Sequence, residues 1–335
     1  MFNKVVSLFK ETFEEWSKDK ASRLAAALSY YTIFSIAPLL IIIIAVVGAV
    51  YREEAATNAI KAQLEGLMGE QSAALIQGAI NSASQPKQGT IASIISVIVL
   101  LFGATSLFTE LQDSLNTIWE VQPKPGRAVK NMLRQRFLSF AMILGIGFLL
   151  LVSLVMSTAL SAAIGYFQNL LPGIDGIWQV VNFVVSFAVT TILFGLIFKV
   201  LPDVKIAWSD VLIGASLTSL LFSLGRFLLG QYLARATFSS TYGAASSIVV
   251  ILFWVNYAAQ ILFFGAEFTQ VYARRYGTKI VPDKHAEPIT EEARLQQGMK
   301  PNNPERPSRK NKTNWLNRLL RQLKPSKNNR RRRDY

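Results

Sequence analysis

The stretch from Leu24 to Val50, LAAALSYYTIFSIAPLLIIIIAVVGAV, contains no charged residue. A helix rises about 1.5 Å per residue and a hydrocarbon core is about 30 Å thick, so this run is long enough to cross a bilayer with some tilt. A secretory signal places a shorter apolar stretch closer to the N-terminus, whereas this one follows 23 mostly amphipathic residues and reads as an uncleaved first span. Five similar runs follow near Ile91 to Phe108, Phe137 to Ala162, Val180 to Val200, Val211 to Tyr232 and Ile248 to Phe268. None alternates apolar and polar residues with the period of a membrane β-barrel, so the backbone must satisfy itself in lipid as helices. The expectation is an all-α polytopic membrane protein, a bundle of six transmembrane helices over residues 24–268.

Composition supports a division into two regions. Of 335 residues 51% are hydrophobic and 17% charged, against roughly 25% charged in an average soluble domain. The net charge is nevertheless +14, made up of +2 from Met1 to Phe268 and +12 from Thr269 to Tyr335. There is no cysteine, which removes disulfides, thiolate metal sites and cysteine nucleophiles. His285 is the one histidine, too few for a histidine-rich hydrolytic metal site, and no GxxxxGK[ST] phosphate loop is present. No catalytic, cofactor-binding or metal-ligating residue is assigned, no cofactor is expected, and the chain reads as a non-enzyme.

Basic residues resist translocation and collect on the cytoplasmic side. The segment before the first span, alternate connections and the segment after the last span hold 30 Lys and Arg; the other connections hold four, and Arg226 lies within a span. Both termini are therefore expected in the cytoplasm. Residues 1–23 place Val5, Phe9, Phe13 and Trp16 on one helical face, suiting either an interfacial helix or a cytoplasmic extension of the first span. Residues 51–90 keep helical periodicity (Ile60, Leu64, Leu67, then Leu75, Ala79, Ile80) and predict a small helical cap outside the membrane.

Polar groups within spans cost free energy unless they face water, a partner or the bundle interior. Arg226 is the sharpest case. With the fifth helix running outward it lies about 9 Å from the outer end, and Asn256 and Gln260 reach comparable depth on the sixth helix. Glu267 extends their face, giving a polar stripe. These four residues form a candidate intramembrane polar pathway between the fifth and sixth helices; interhelical hydrogen bonding with a snorkelling Arg226 is the competing reading. Pro38 should kink the first span.

After Tyr276 prolines recur and apolar residues thin out, as in a disordered linker. Within residues 269–335, a basic amphipathic helix is expected at about 313–324: Trp315, Leu316, Leu319, Leu320 and Leu323 make its apolar face, with Arg318, Arg321 and Lys324 beside it and Arg330 to Arg333 beyond. At about 1 kcal/mol per basic residue near an anionic leaflet, an anionic lipid surface is the expected contact. Stacking aromatics in a nucleic-acid-binding pattern are missing, so no specific nucleic acid is expected. Membrane lipids are the partners foreseen, and a homo-oligomer stays open.

Several segments carry a resemblance. ALSYYTIFSIAPLL (Ala27 to Leu40), ELQDSLNTIWEV (Glu110 to Val121), LPDVKIAWSDVLIGA (Leu201 to Ala215), TYGAASS (Thr241 to Ser247) and LFWVNYAAQILFFGAEF (Leu252 to Phe268) are similar, in order, to motifs of the YihY/BrkB family of six-span bacterial inner-membrane proteins. The resemblance covers about residues 10 to 280 and leaves out the tail. It implies a multi-pass inner-membrane location and offers no agreed catalytic residues to carry over; the family's names record virulence and an older ribonuclease BN label, and a part in envelope or lipid transport has been suggested. A ribonuclease is disfavoured here because neither a histidine-rich metal site nor a histidine acid/base pair can be assembled. The expected function is to transport or bind an envelope component such as a lipid or other amphiphile; the alternative is a non-transporting scaffold recruiting partners through its basic tail.

Overall fold

The computed structural model describes residues 2–50, 53–84, 90–124, 134, 136–149, 152, 175–235, 246–278, 280–297 and 299. The chain divides into two compact units, Met1–Ile289 and Thr290–Tyr335.

The first unit is mostly helical. Helix α1 (Phe2–Lys18) ends at a turn where Lys20 takes φ of 56°, and α2 (Ala21–Val50) follows. Helices α3 (Glu53–Met68) and α4 (Glu70–Ser84) are joined through Gly69, whose φ of 83° suits a residue without Cβ. They occupy the range expected of the helical cap. Ile60 and Leu64 are buried as expected, but α4 buries Ala73, Ile76 and Ile80 while Leu75 is exposed. Next come α5 (Thr90–Ile118), α6 (Arg136–Leu149), α7 (Asp175–Val200), α8 (Trp208–Arg235) and α9 (Ser246–Tyr276).

Among the described residues four helices are long and apolar enough to cross a membrane: Ala21–Ala49 on α2, Phe183–Val200 on α7, Trp208–Gln231 on α8 and Ser247–Tyr276 on α9. They coincide with the first, fourth, fifth and sixth apolar runs. The second run falls on α5; α6 covers the start of the third, and the stretch of that run at residues 153–162 lies outside the described residues. Many exposed side chains on the spans are large and apolar, including Phe183, Val184, Leu220, Leu224, Phe227 and Leu228. Such continuous apolar exposure is costly in water and favourable against acyl chains.

Helix α2 packs along α5 and α9, and α8 lies between α7 and α9. At the α2–α5 contact, a Cβ on Gly103 would stand 3.1 Å from Cγ of Pro38, so the small residue accommodates the proline ring. Between α8 and α9 two glycines work reciprocally. A Cβ at Gly214 would overlap Thr269, and one at Gly265 would overlap Thr218. Each threonine donates its hydroxyl to the glycine carbonyl four residues back on its own helix, Thr218 to Gly214 at 2.7 Å and Thr269 to Gly265 at 2.6 Å. Buried hydroxyls are thereby satisfied while the two backbones approach closely.

Two corrections to the sequence reading arise after Tyr276 and in the connections. The protein is not wholly helical: β1 (Val121–Pro123) pairs with β4 (Ala286–Pro288), and β2 (Val204–Lys205) pairs with β3 (Val281–Pro282), both antiparallel. The proline-rich stretch expected to be a disordered linker is therefore ordered over these strands. Its prolines are tolerated because other donors serve the ladder: Lys124 N–H donates to His285 O at 3.0 Å and Ile289 N–H to Glu120 O at 2.9 Å. The boundary placed at 269 also falls within α9.

In the second unit, Thr290 caps α10 (Glu291–Gln296), accepting a hydrogen bond from Ala293 N–H at 3.2 Å. Residues 300–335 lie outside the described residues, and with them the expected helix at 313–324 and its Trp315, Leu316, Arg318, Leu319, Leu320, Arg321, Leu323 and Lys324.

Candidate functional site

The connection from α7 to α8 is short, and the two helices form a hairpin with a groove of about 570 Å³ far from the turn. Phe183, Ser186, Phe187 and Thr190 line it from α7; Phe222, Ser223, Arg226, Phe227, Gly230 and Gln231 line it from α8. The spacing explains the shared face, since residues three or four apart on a helix stack above one another. Phe183 and Phe187 stack with ring centroids 6.2 Å apart. Phe222 is braced edge-on by Phe194 at 5.7 Å and Trp254 at 6.1 Å, fixing the rear wall. Two hydroxyls engage their own helices: Thr190 donates to Ser186 O and Ser223 to Ser219 O, each at 2.8 Å.

Arg226 is exposed in this groove and makes no ion pair among the described residues. Counting along α8, it lies about 27 Å from Trp208 and about 13 Å from Arg235 at 1.5 Å per residue. A cation with aromatic rings around it can hold an anion at the polar edge of an apolar slot.

The structure does not bring Arg226 together with the polar stripe expected opposite it. The lining comes from α7 and α8, and what α9 presents to α8 at this level is Tyr257, which occupies the space a Cβ on Gly225 would need. At about 100° per residue, Asn256, Gln260 and Glu267 point about 140° to 180° away from Gly265 on the α8-facing side. Gln260 instead accepts a hydrogen bond from the Ser22 hydroxyl of α2 at 3.5 Å; Asn256 is half-buried and Glu267 fully buried. Periodicity identified the common face of these three residues, but not the helix it meets.

A second polar centre, not foreseen from the sequence, lies at the turn end of the hairpin. The buried Asp203 carboxylate accepts hydrogen bonds from Asn116 Nδ2 at 3.1 Å and Gln112 Nε2 at 3.4 Å, while its own N–H donates to Asn116 Oδ1 at 2.8 Å. Arg134 bridges two carboxylates, Asp203 at 2.7 Å and Asp283 at 2.9 Å, and Asp283 N–H donates to Asp203 O at 2.8 Å. Burial pushes the Asp283 carboxyl up, but a backbone hydrogen bond from Lys284 and the charges of Arg134, Lys205 and His285 outweigh it and hold it below its ordinary value. Nearby, Asp210 accepts from the Thr278 N–H at 2.9 Å and from its hydroxyl at 3.1 Å. The clasp ties α5, Arg134, the α7–α8 turn and the segment after α9 together.

Helix α1 is fastened to the end of α9. Arg274 pairs with Glu11 at 2.7 Å and Glu15 at 3.0 Å, Arg275 pairs with Glu11, and Phe9 contacts Phe268 with centroids 5.5 Å apart. Val5, Val6 and Phe13 remain exposed.

The clasp draws Gln112 and Asn116 from one of the sequence segments noted above and Asp203 and Asp210 from another. A family model described as virulence factor BrkB matches residues 12–290. The chain belongs to the BrkB family. Among curated relatives, a UPF0761 membrane protein of Teredinibacter turnerae is 28% identical over 281 residues, covering 81% of this chain and 61% of the relative. One from Alcanivorax borkumensis is 25% identical over 276 residues, covering 80% and 61%, and one from Tolumonas auensis is 25% identical over 256 residues, covering 75% and 80%. The chain thus spans about three-fifths of the first two relatives. No solved structure matches it. Within this BrkB family member, the matched region contains both the α7–α8 groove and the clasp.

Proposed function

We propose that this BrkB family protein is a membrane-embedded binding protein for an amphiphile of the bacterial envelope, held in the groove between α7 and α8. It is read as an inner-membrane protein with six spans and both termini in the cytoplasm, performing no covalent chemistry. One observation carries the binding proposal: a slot of about 570 Å³ with apolar aromatic walls contains the exposed cation Arg226. Aromatic walls suit a hydrocarbon chain, whereas the arginine suits a polar head.

Photo-crosslinking tests this assignment. A lipid carrying a diazirine on its acyl chain is incorporated into vesicles with the full chain, and adducts are mapped by mass spectrometry. Enrichment in 183–190 and 222–231 is expected. Even labelling of all exposed apolar faces, including Leu212 and Ile213 on α8, overturns it.

A further inference from the structure

Resting on the groove reading above, we infer that the amphiphile carries a net negative, phosphate-bearing head group bound by Arg226, with its hydrocarbon lying along Phe183, Phe187 and Phe227. An arginine remains charged at any physiological pH, and its planar fork presents paired N–H donors that match two oxygens of one phosphate. Arg226 has no ion-pair partner among the described residues, and none of the residues lining the groove is acidic, so the lining as described is net positive. A zwitterionic head group would leave the complex at net +1, whereas an anionic one neutralises it in a medium where solvent screening is weak. A free anion is the poorer match because Phe183 and Phe227 are strongly exposed and gain from hydrocarbon contact. Residues three and four apart on α8 place Ser223, Arg226, Phe227 and Gly230 along one face, so head and chain bind side by side on it.

The test uses the full chain in phosphatidylcholine bilayers containing spin-labelled phosphatidylglycerol, phosphatidic acid or phosphatidylcholine, and reads the motionally restricted fraction of each by electron paramagnetic resonance. The wild type is expected to restrict the two anionic lipids several-fold more than phosphatidylcholine. Arg226→Gln should bring them to the phosphatidylcholine level, and Arg226→Lys should keep part of the preference as a point charge without the fork. An unchanged preference in Arg226→Gln overturns the inference. Inorganic phosphate added to the medium should leave the restricted fraction unaltered; displacement by phosphate alone overturns the chain-bound arrangement.

Ser223→Trp separates the two levels of the argument by filling the groove. A smaller restricted fraction for all three lipids supports the groove reading, and if Arg226→Gln then still prefers anionic lipid, only the head-group assignment fails. An unchanged restricted fraction in Ser223→Trp refutes the groove reading itself. Thermal melting of each variant shows that it is folded before its lipid profile is compared.

Discussion

Asp203 is buried among donors from separate parts of the chain, with Asn116 87 residues away and Arg134 69 residues away. A buried carboxylate loses its hydration and is tolerated when several donors replace the water. Asp283 completes the arrangement at the surface side, and its depressed pKa fixes the sign of a pH effect. A carboxyl whose folded value lies below its unfolded value stabilises the fold above the unfolded value, and that contribution disappears as pH falls through the folded one. Asp283→Asn should therefore lower the melting temperature in detergent at neutral pH, and the gap to wild type should close on acidification below the ordinary carboxylate range. A gap that persists unchanged there would exclude the ion pair as its cause. None of this was legible from sequence, because Asn116 near the end of α5 and Arg134, Asp203 and Asp283 beyond the spans are individually unremarkable polar residues. Arg226 was legible, since a charge within an apolar run is costly wherever it points, but its neighbours were not.

At the scale of the element, the spans were readable because length and hydrophobicity alone decide whether a helix suits a bilayer. Their pairing depended on small residues. Gly214 and Thr218 on α8 and Gly265 and Thr269 on α9 share a spacing of four, a signal present in the sequence but carried by residues without charge or amide groups. Replacing Gly214 or Gly265 by Val inserts two methyl groups and a Cβ where threonine already stands. Overpacking of this kind costs about 1–3 kcal/mol, so each variant should unfold at lower denaturant concentration, while Gly78→Val, with open space around its Cβ position, serves as the control for space at the contact. Equal stability of the Gly214 variant and wild type would deny the close contact. The strands were missed for the opposite reason: Pro282 and Pro288 lower local propensity, whereas the pairing partners Val121 and Val204 come from distant connections.

For the whole molecule, the proposed orientation of six spans with both termini inside rests on the asymmetry of 30 against four basic loop residues. The chain has no cysteine, so single cysteines report accessibility without a background. Ser84→Cys and Gly173→Cys should react with an impermeant maleimide from the external side of intact cells, and Ala128→Cys only after the membrane is breached. The reverse pattern would invert the orientation and move the Arg226 groove to the cytoplasmic half. The excess of +12 after Phe268 contributed strongly to this proposed orientation, yet it also concealed order in residues 281–288, where backbone pairing rather than side-chain hydrophobicity organises the chain.

The α7–α8 hairpin is secured at one end and open at the other. A short connection, Asp203 in the clasp and Lys199 donating to Ile206 O hold the turn, while Ser186, Thr190, Ser223 and Arg226 stand about three to five helical turns away from it. Mechanically this is a pair of tweezers, with its hinge at Leu201–Ala207 and its tips at the groove. Because Trp254 and Tyr257 of α9 hold α8 at that level, a bulkier guest in the proposed groove would have to be accommodated by displacement of α7, with the clasp, close to the pivot, scarcely moving.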